Sequence, residues 1–422
     1  MKILFLNNVR PHTNHDRAGN VVLYEMIREF AADSNHTVGF QLVSPHDAKP
    51  PTEDEIRGVQ SLGAMGVTMA PEITLPPPPR SRPGLLKLLA PQPRDFFPYH
   101  PHRDLILKAL EKAAPDWVII PWSEWLTALC AEYPGKKFAY YGNPDPKVGR
   151  CFVQFQRRNR LASPLRLHAM SRMLDSLERI HLKMMARYEL LGNVAANDAE
   201  YYRQAGHPNA FYIQNIWIDR FQSMWEKTLP LRKNNGKAVI IGNVGKLFAT
   251  ANTHGLEVLG RDLLPALRRE MRGIDYEIHL LGQGQPHPAL RHYFDSPEVR
   301  ILGFVPDIDR SLMEADVFLC MNNASEFKVG HTRYLHAWSV GGCVVAHRDC
   351  RLSMPEIVHE KNALLGGDCR EIASHIRRLV DDPALHQRLC RDGYETFRTH
   401  FSAPAVVRKM REKMDGFSKT QS

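Results

Sequence analysis

Two cations in the second half of the chain follow features that could bind phosphate. Lys246 comes directly after Gly245, in a turn that follows the predicted strand Ala238–Gly242, and Arg333 lies at the start of a predicted helix. Main-chain amides at helix N-termini and nearby cations stabilise phosphate, and arginine adds bidentate contacts. Together the two residues indicate a diphosphate site. For each of them, an ordinary surface cation is the alternative interpretation.

Glycine-rich turns follow two further predicted strands. Gly282-Gln283-Gly284 comes after the strand Tyr276–Leu281, and the run Gly303-Phe304-Val305-Pro306-Asp307 ends the strand Val299–Gly303. Because open α/β sheets bind ligands at the carboxyl ends of their strands, we expect both turns to lie on the same edge as Lys246. Taken alone, Phe304 is better explained as a core residue.

Short apolar runs alternate with amphipathic stretches along the whole chain, which is typical of βα units around parallel sheets. The other predicted strands are Lys2–Asn7, Thr37–Leu42, Trp117–Pro121, Lys137–Tyr141, Asn193–Ala196, Ala210–Ile213, Val317–Met321, Gly342–Ala346 and Ala363–Leu365. The predicted helices are Val21–Ala32, Gly255–Met271, Asp309–Glu314, Thr332–Val340 and Cys369–Asp381.

Two stretches interrupt this alternation. Leu75–Pro98 contains eight prolines and argues against a regular element. For Leu161–Leu191 we predict a long amphipathic helix or helix pair with a basic side. The polar stretch Lys227–Lys237 then marks a domain boundary, and we predict domains over residues 1–225 and 226–403.

Composition restricts the class of protein. The 422 residues are 43% hydrophobic and 24% charged, as in soluble globular proteins of two or three domains. No apolar run is long enough to span a bilayer, and the start MKILFL is predicted to be a strand rather than a secretion signal, so we expect a cytoplasmic protein. Seven cysteines without CxxC pairs or zinc spacing with histidine indicate free thiols.

The net charge of +9 indicates an anionic partner. Nucleic acid, an anionic membrane and a phosphorylated substrate all fit this charge. No nucleic-acid recognition motif accompanies it, so we expect no nucleic-acid partner. The proline-rich basic loop and the basic helix region fit contact with an anionic membrane at the inner face of the cell, with an ordinary solvated surface as the alternative.

The order of motifs from Ala238 to Phe401 resembles the donor-binding domain of the retaining glycosyltransferase family four, also called group 1. Ala337–Ala346, Met354–Val358 and Lys361–Leu365 resemble the family's later motifs. The resemblance implies the GT-B fold, an α/β architecture with two Rossmann-like, doubly wound domains that face each other across a cleft. It also implies an N-terminal acceptor domain, a C-terminal donor domain, and a final helix over residues 404–422 that packs back on the first domain.

The resemblance further implies which residues bind the donor. Lys246 and Arg333 would neutralise the leaving diphosphate, and the backbone around Phe304 would hold the nucleotide base. The predicted donor-binding residues are Gly19, Gly245, Lys246, His254, Gly282, Gly284, Phe304, Val305, Pro306, Gly330, His331, Thr332, Arg333 and His336. No Asp-x-Asp metal box directly ends a predicted strand, so we expect no metal requirement and no cofactor besides the donor substrate.

The chain departs from the family pattern at three positions. The family's second lysine is His254 here, and its two glutamates, eight residues apart, are Lys328 and His336. Glu326 matches the first glutamate only with a two-residue insertion and is our candidate donor-sugar ligand. His336 is expected either to bond a ribose hydroxyl or to be a core histidine.

The first half resembles the family only in outline. Its candidates near donor and acceptor are Arg17 and Gly19, in the loop before the helix Val21–Ala32, with an ordinary turn as the alternative. Glu124 and Asp145 are the carboxylates available as general base if the enzyme inverts. If it retains, the donor's own phosphate accepts the proton, as the resemblance implies.

We therefore expect an enzyme that transfers a sugar from a nucleotide-diphosphate sugar to an acceptor hydroxyl, with retention, in polysaccharide, lipopolysaccharide or glycolipid synthesis. Catalysis would rest on alignment and on stabilising the departing diphosphate. A GT-B-shaped protein that is not a transferase, such as a nucleotide-sugar epimerase or a nucleotide-binding scaffold, is the alternative. The missing second glutamate is the feature that favours it.

Overall fold

The computed structural model of the chain describes residues 1–14, 18–219, 236–324, 328 and 332–421. These residues form two units, one of residues 1–216 and 403–422 and the other of residues 217–402. The division falls before the predicted boundary at residues 225 and 226. Within the described residues, no helix is long and apolar enough to cross a bilayer.

The first unit contains a parallel β-sheet. Its strands are β1 (Lys2–Asn7), β2 (Thr37–Pro45), β3 (Thr68–Met69), β4 (Ile73–Leu75), β5 (Trp117–Pro121), β6 (Lys137–Tyr141), β7 (Leu190–Asn193) and β8 (Ala210–Tyr212). The strand order is β3-β2-β1-β5-β6-β7-β8, with β4 paired to the end of β2. Central β1 is buried on both faces, with Ile3 and Phe5 in one apolar cluster and Leu4 and Leu6 in another. A parallel strand buried on both faces shows a continuous apolar run in sequence.

Helices cover both faces of this sheet. They are α1 (Ala18–Ala31), α2 (Glu53–Ala64), α3 (Gly84–Leu89), α4 (Pro93–Phe96), α5 (Arg103–Ala113), α6 (Glu124–Cys130), α7 (Asp145–Arg158), α8 (Pro164–Met185) and α9 (Ala196–Gln204). Helix α2 begins with a capping box, in which the Glu55 amide donates to the Thr52 hydroxyl and the Thr52 amide donates to the Glu55 carboxylate. Short 3-10 turns occur at His100–His102 here and, in the second unit, at Pro288–Leu290, Asn322–Ala324 and Arg348–Leu352.

The second unit contains a parallel sheet of order β11-β10-β9-β12-β13-β14. Its strands are β9 (Lys237–Val244), β10 (Asp275–Leu281), β11 (Val299–Gly303), β12 (Val317–Cys320), β13 (Val344–His347) and β14 (Leu364–Gly366). Its described helices are α10 (Thr250–Val258), a π-helical turn (Leu259–Leu263), α11 (Leu264–Glu270), α12 (Arg291–Phe294), α13 (Ile308–Glu314), α14 (Thr332–Ser339), α15 (Cys369–Asp381) and α16 (Pro383–His400). Both strand orders are of the doubly wound, Rossmann-like kind.

The chain returns to the first unit through α17 (Ala403–Gln421). Val406, Val407, Met410 and Met414 repeat at helical spacing and are fully buried in the same cluster as the α1 side chains. Arg411 lies over the Phe30 ring, 5.1 Å from its centroid, and donates to the Glu29 carbonyl at 2.7 Å. Helix α17 is therefore part of the core of the first unit.

Three expectations about local structure were wrong. The proline-rich stretch Leu75–Pro98 contains the short helices α3 and α4, because prolines at Pro83 and Pro93 occupy helix starts, where no amide is lost. The strand expected at Asn193–Ala196 lies earlier, at Leu190–Asn193. The helix expected from Gly255 begins at Thr250.

Candidate functional site

Three loops meet at the carboxyl edge of the second sheet. The Gly245 amide donates to the Leu281 carbonyl at 2.9 Å, and the Leu247 amide donates to the Gln283 carbonyl at 3.0 Å. The amide of Gly282 donates to the Gly303 carbonyl at 2.7 Å. The loops after β9, β10 and β11 are thus bonded directly to one another, as the spacing of the glycine turns predicted.

Three glycines form this contact. Gly282 has φ +137°, and a Cβ atom there would lie 2.0 Å from the Gly245 carbonyl oxygen. Gly245 itself has φ +102°. A Cβ atom at Gly284 would lie 2.5 Å from the Phe248 ring. The close backbone approach between the β9 and β10 loops therefore depends on residues without side chains.

Asn252, in the first turn of α10, connects the two predicted cations. Its amide nitrogen donates to the Lys246 carbonyl at 2.7 Å, and the Arg333 guanidinium donates to its side-chain oxygen. Asn252 is 1% exposed. A single buried amide thus holds the β9 loop and the start of α14 together. Its role could not be predicted, because an asparagine inside a helix carries no signal of a contact 81 residues away.

The two cations have no acidic partner within the described part of the chain. Lys246 is exposed and Arg333 is half-buried, and no described carboxylate forms an ion pair with either of them. Most surface cations of the second unit are paired, such as Arg268 with Glu298 at 2.6 Å. Lys246 and Arg333 are therefore available to an external anion.

Two aromatic rings are exposed on these loops. Phe304 is 63% exposed and Phe248 is 59% exposed, so the interpretation of Phe304 as a core residue is wrong. Val305 is half-buried and Pro306 is exposed. Phe248 was not among the predicted site residues, although it lies in the same turn as the predicted residues Gly245 and Lys246. Flat exposed rings beside a cation site suit a heteroaromatic ligand.

The positions of His254 and Gly255 in the structure differ from those expected. His254 is 1% exposed inside α10, so the structure does not present it as a second exposed cation. Gly255 is also within α10, where a Cβ atom would lie 2.2 Å from the Asn322 side-chain oxygen. Its missing side chain accommodates Asn322 and does not open a helix. The helix start that faces the β9 loop is Thr250.

His336 is held within the second unit. Its Nε2 lies 2.5 Å from the Asp309 carboxylate, and its ring packs against Trp217 with centroids 5.1 Å apart. It is 6% exposed. These contacts are those of the core-histidine alternative, and the ribose contact stays a prediction.

Asp307 and Asp309 form an Asp-x-Asp sequence four residues beyond β11, and both carboxylates are engaged. Asp307 caps α13, accepting from the Arg310 amide at 3.0 Å. Asp309 is bonded to His336. Their roles in the structure are a helix cap and a buried polar pair.

Several candidates lie outside the described residues. These are Arg17, Glu326, Gly330 and His331, together with the side chain of Asp145. Thr332, which follows His331 in the chain, begins α14 and is half-buried. Lys328, at the position of the family's first glutamate, pairs with Asp349 at 3.0 Å.

In the first unit, Gly19 and the loop after β5 come together. A Cβ atom at Gly19 would lie 3.5 Å from the Trp122 ring. Trp122 has φ +48° and stacks on Tyr140, and Ser123 donates to the Asn8 side chain at 2.7 Å. Glu124 follows as the exposed first residue of α6. The carboxyl ends of β1 and β5 thus place Gly19 and Glu124 at the same edge of the first sheet.

A polar group that the sequence analysis missed follows β6 and β7. Lys147 donates to the Asp198 carboxylate at 2.6 Å. Burial raises the pKa of Asp198 to about 6, against the opposing effect of Lys147. Asn193 is fully buried, and its side-chain amide has no hydrogen-bond partner among the described residues. Lys147 and Asp198 lie 51 residues apart, so no local pattern could have paired them.

The structure also brings together a histidine and two cysteines that we had not expected to meet. Ligand atoms of Cys343, His386 and Cys390 all lie within 4.8 Å of one another. The Nε2 of His386 bonds the Asp316 carbonyl at 2.8 Å, and its Nδ1 lies 3.7 Å from the Cys390 sulfur. All three residues are buried, away from the loops described above. Free thiols are found throughout the described chain, as expected.

A family model matches part of the second unit. Residues 238–382 match the family model described as Glycosyl transferases group 1. The chain is 34% identical over 134 residues to the lipopolysaccharide core biosynthesis glycosyltransferase LpsD of Rhizobium meliloti (strain 1021), a match that covers 30% of this chain. The matched part spans 38% of the length of LpsD.

Solved structures resemble the whole chain. The Anabaena protein HepE in complex with UDP has a TM-score of 0.62 at 14% identity, covering 99% of this chain and 100% of HepE. Sucrose-phosphate synthase from Thermosynechococcus elongatus has a TM-score of 0.65 at 13% identity and covers both chains completely. At these identities the likeness shows a shared fold.

Proposed function

We propose that this chain, which has the GT-B fold and whose residues 238–382 match the group 1 glycosyltransferases, transfers a sugar from a nucleoside-diphosphate sugar to an acceptor hydroxyl. One observation carries the proposal. Lys246 and Arg333 are joined through Asn252 at the carboxyl edge of a Rossmann-like sheet, and no described carboxylate neutralises them. Such a pair suits a diphosphate leaving group.

The second unit would bind the donor. In this proposal the Lys246 ammonium and the Arg333 guanidinium contact the phosphate oxygens, and the amides at the start of α10 add further donors. Negative charge on the diphosphate rises as its bond to the sugar breaks, so these contacts strengthen in the transition state. The exposed rings of Phe248 and Phe304 would border the base. HepE has been solved with UDP, which makes UDP the first nucleotide to test.

The first unit would bind the acceptor, with Gly19 and Glu124 at its site. We propose transfer with retention, with the donor's phosphate accepting the hydroxyl proton. Glu124 or Asp145 would serve as general base if the product proves inverted. We also propose that Lys246 and Arg333 stabilise the diphosphate without a divalent metal. Retained activity in excess chelator is the expected outcome, and loss that magnesium restores would contradict it.

We propose a glycan or glycolipid acceptor of cell-surface lipopolysaccharide or polysaccharide synthesis, at the inner face of the cell membrane. The relative LpsD is named for lipopolysaccharide core biosynthesis. The net charge of +9 suits an acceptor that lies in an anionic membrane.

A two-step experiment tests the function. Thermal shift of the purified chain against uridine, guanosine, adenosine and cytidine diphosphates identifies the base, and the matching nucleotide sugars are then assayed for hydrolysis and for transfer to glycolipid extracts. Stabilisation by one diphosphate with sugar release is expected. Stabilisation without any transfer would support the non-transferase alternative, and no stabilisation by any nucleotide would contradict the proposal.

A further inference from the structure

An apolar pocket lies in the first unit between α3, α7 and α8. Its walls include Leu88, Phe152, Met170, Met173 and Leu174. Helix α7 approaches α8 closely where Gly149 faces Leu174, since a Cβ atom at Gly149 would lie 2.4 Å from that side chain. The pocket is open to solvent at one side, and the two methionines give it adaptable walls.

Large exposed apolar side chains lie on the helices that form this pocket. Leu89 is 71% exposed and Leu165 is 80% exposed, and Leu86 and Phe152 are also exposed. All of them lie on α3, α7 or α8. Several exposed apolar residues on one surface, next to an apolar pocket, mark a binding surface more often than an ordinary solvated one.

The same elements carry more positive than negative charge. Helices α3, α7 and α8 together contain nine Lys or Arg residues and three acids. Two of these cations are neutralised, since Lys147 pairs with Asp198 and Arg150 pairs with acids of α8. Lys87 and Arg166 line the pocket itself. Lys87 donates to the Ser81 hydroxyl at 2.5 Å, and within the described residues neither cation pairs with a carboxylate. The apolar surface is therefore bordered by cations that are available to anionic groups.

We propose that this surface docks on an anionic phospholipid bilayer, with the pocket taking one acyl chain and with Lys87 and Arg166 at the lipid phosphate. Apolar residues that enter the acyl region and cations that meet the headgroups are the two requirements for interfacial binding. The inference deepens the proposed function by naming the surface through which the chain would reach a membrane-embedded acceptor. The docking on a membrane does not itself depend on the proposed function. Only its biological purpose, access to a membrane-embedded acceptor, rests on that function.

Vesicle sedimentation tests the docking. Wild-type chain is expected to bind vesicles of phosphatidylcholine with phosphatidylglycerol and to bind phosphatidylcholine vesicles at least about tenfold more weakly. Leu89→Glu and Leu165→Glu should each weaken binding to the anionic vesicles by about tenfold, because a carboxylate replaces an exposed leucine. Ile56→Glu, at another exposed apolar residue of the same unit, is the matched control and should bind as wild type.

The acyl-chain part of the proposal has its own variant. Ala169→Phe fills the pocket without changing its charge, and it should weaken vesicle binding several-fold while leaving thermal stabilisation by the donor nucleotide unchanged. If Ala169→Phe bound vesicles as strongly as the wild-type chain does, the proposal that the pocket takes an acyl chain would be overturned. Equal binding of all glutamate variants, or a chain that forms dimers through this surface and ignores vesicles, would overturn the docking surface.

Failure of this inference is distinguishable from failure of the proposed function. Nucleotide stabilisation and donor hydrolysis are measured without vesicles, and none of the residues changed in the docking variants is a proposed donor or acceptor residue. A chain that binds anionic vesicles but no nucleotide would contradict only the transferase proposal, and a chain that hydrolyses the donor but ignores vesicles would contradict only the docking surface.

Discussion

The buried side chain of Asn252 accepts a hydrogen bond from Arg333 and donates one to the Lys246 carbonyl. An asparagine amide can do both at once, because it has an acceptor oxygen and a donor nitrogen. The orientation of Arg333 toward the β9 loop is therefore fixed before any ligand binds. Pre-oriented cations of this kind contribute more to transition-state stabilisation than mobile ones do.

Replacing Arg333 should lower turnover. Arg333→Ala removes the proposed diphosphate contact and should decrease kcat/KM for sugar transfer by at least about tenfold, or roughly 1.4 kcal/mol. Steady-state kinetics with the identified donor measures this effect. Arg398→Ala removes an exposed arginine paired with Glu395 on α16 and should keep wild-type rates. Unchanged turnover in Arg333→Ala would remove that residue from the site.

Asn252 is predicted to act through Arg333. Asn252→Ala releases the guanidinium and should lower kcat by about tenfold, within the range of a lost positioning contact. Asn252→Asp should be worse, because a carboxylate beside Arg333 competes with the donor's phosphates and raises KM as well. A purely structural role would instead lower the melting temperature of both variants equally and leave the ratio of their KM values near one.

Gly282→Ala should disturb the loops more than an equivalent change elsewhere. The new Cβ would overlap the Gly245 carbonyl, so the backbone must move, and we expect a loss of at least about 2 kcal/mol in the free energy of unfolding. Gly273→Ala is the control, because Gly273 also has positive φ but nothing within 4 Å. It should cost only about 1 kcal/mol. If denaturant unfolding showed equal losses of unfolding free energy for Gly282→Ala and Gly273→Ala, the steric explanation would be contradicted.

Glu277 should make the free energy of unfolding of the second unit depend on pH in the acidic range. Hydrogen bonds from His279 and Lys237 lower the pKa of Glu277 from 4.5 to about 2. Because the folded-state pKa is the lower one, the stabilisation is present above pH 4.5 and is lost as the pH falls toward 2.

The matching variant is Glu277→Gln. It should lower the free energy of unfolding by about 1–2 kcal/mol at pH 7, with a difference from wild type that shrinks between pH 4.5 and 2. Glu314→Gln, in an exposed helical pair with Arg310, should change stability by less than about 0.5 kcal/mol at either pH. A constant difference for Glu277→Gln across this pH range would contradict the assignment.

The strands could be predicted because their signal is local. Strands buried on both faces, such as Lys2–Asn7 and Trp117–Pro121, appear in the sequence as short apolar runs, and the structure has both with the predicted bounds. The glycine turns after β9 and β10 were informative for the same reason, since a tight turn constrains its own residues. The meeting of those turns followed from the rule that parallel strands end at one edge.

Tertiary contacts explain what the sequence did not reveal. Gly255 was expected to begin a helix, but it lies within α10 because Asn322 packs against it. The partner of His336 is Asp309, 27 residues earlier, whose carboxylate lies at its Nε2. Asn252 and the Lys147–Asp198 pair likewise act through partners distant in sequence. Periodicity and turn chemistry contain no information about such partners.

The return of α17 to the first unit makes that unit discontinuous, and this has a consequence during synthesis on the ribosome. Residues 217–402 emerge as an uninterrupted segment and can complete their own core, whereas Ile27 and Phe30 of α1 stay without the partners Val406, Met410 and Met414 until those residues have left the exit tunnel. The nascent first unit therefore exposes apolar surface until α17 has been synthesised, which makes it dependent on chaperones during that time.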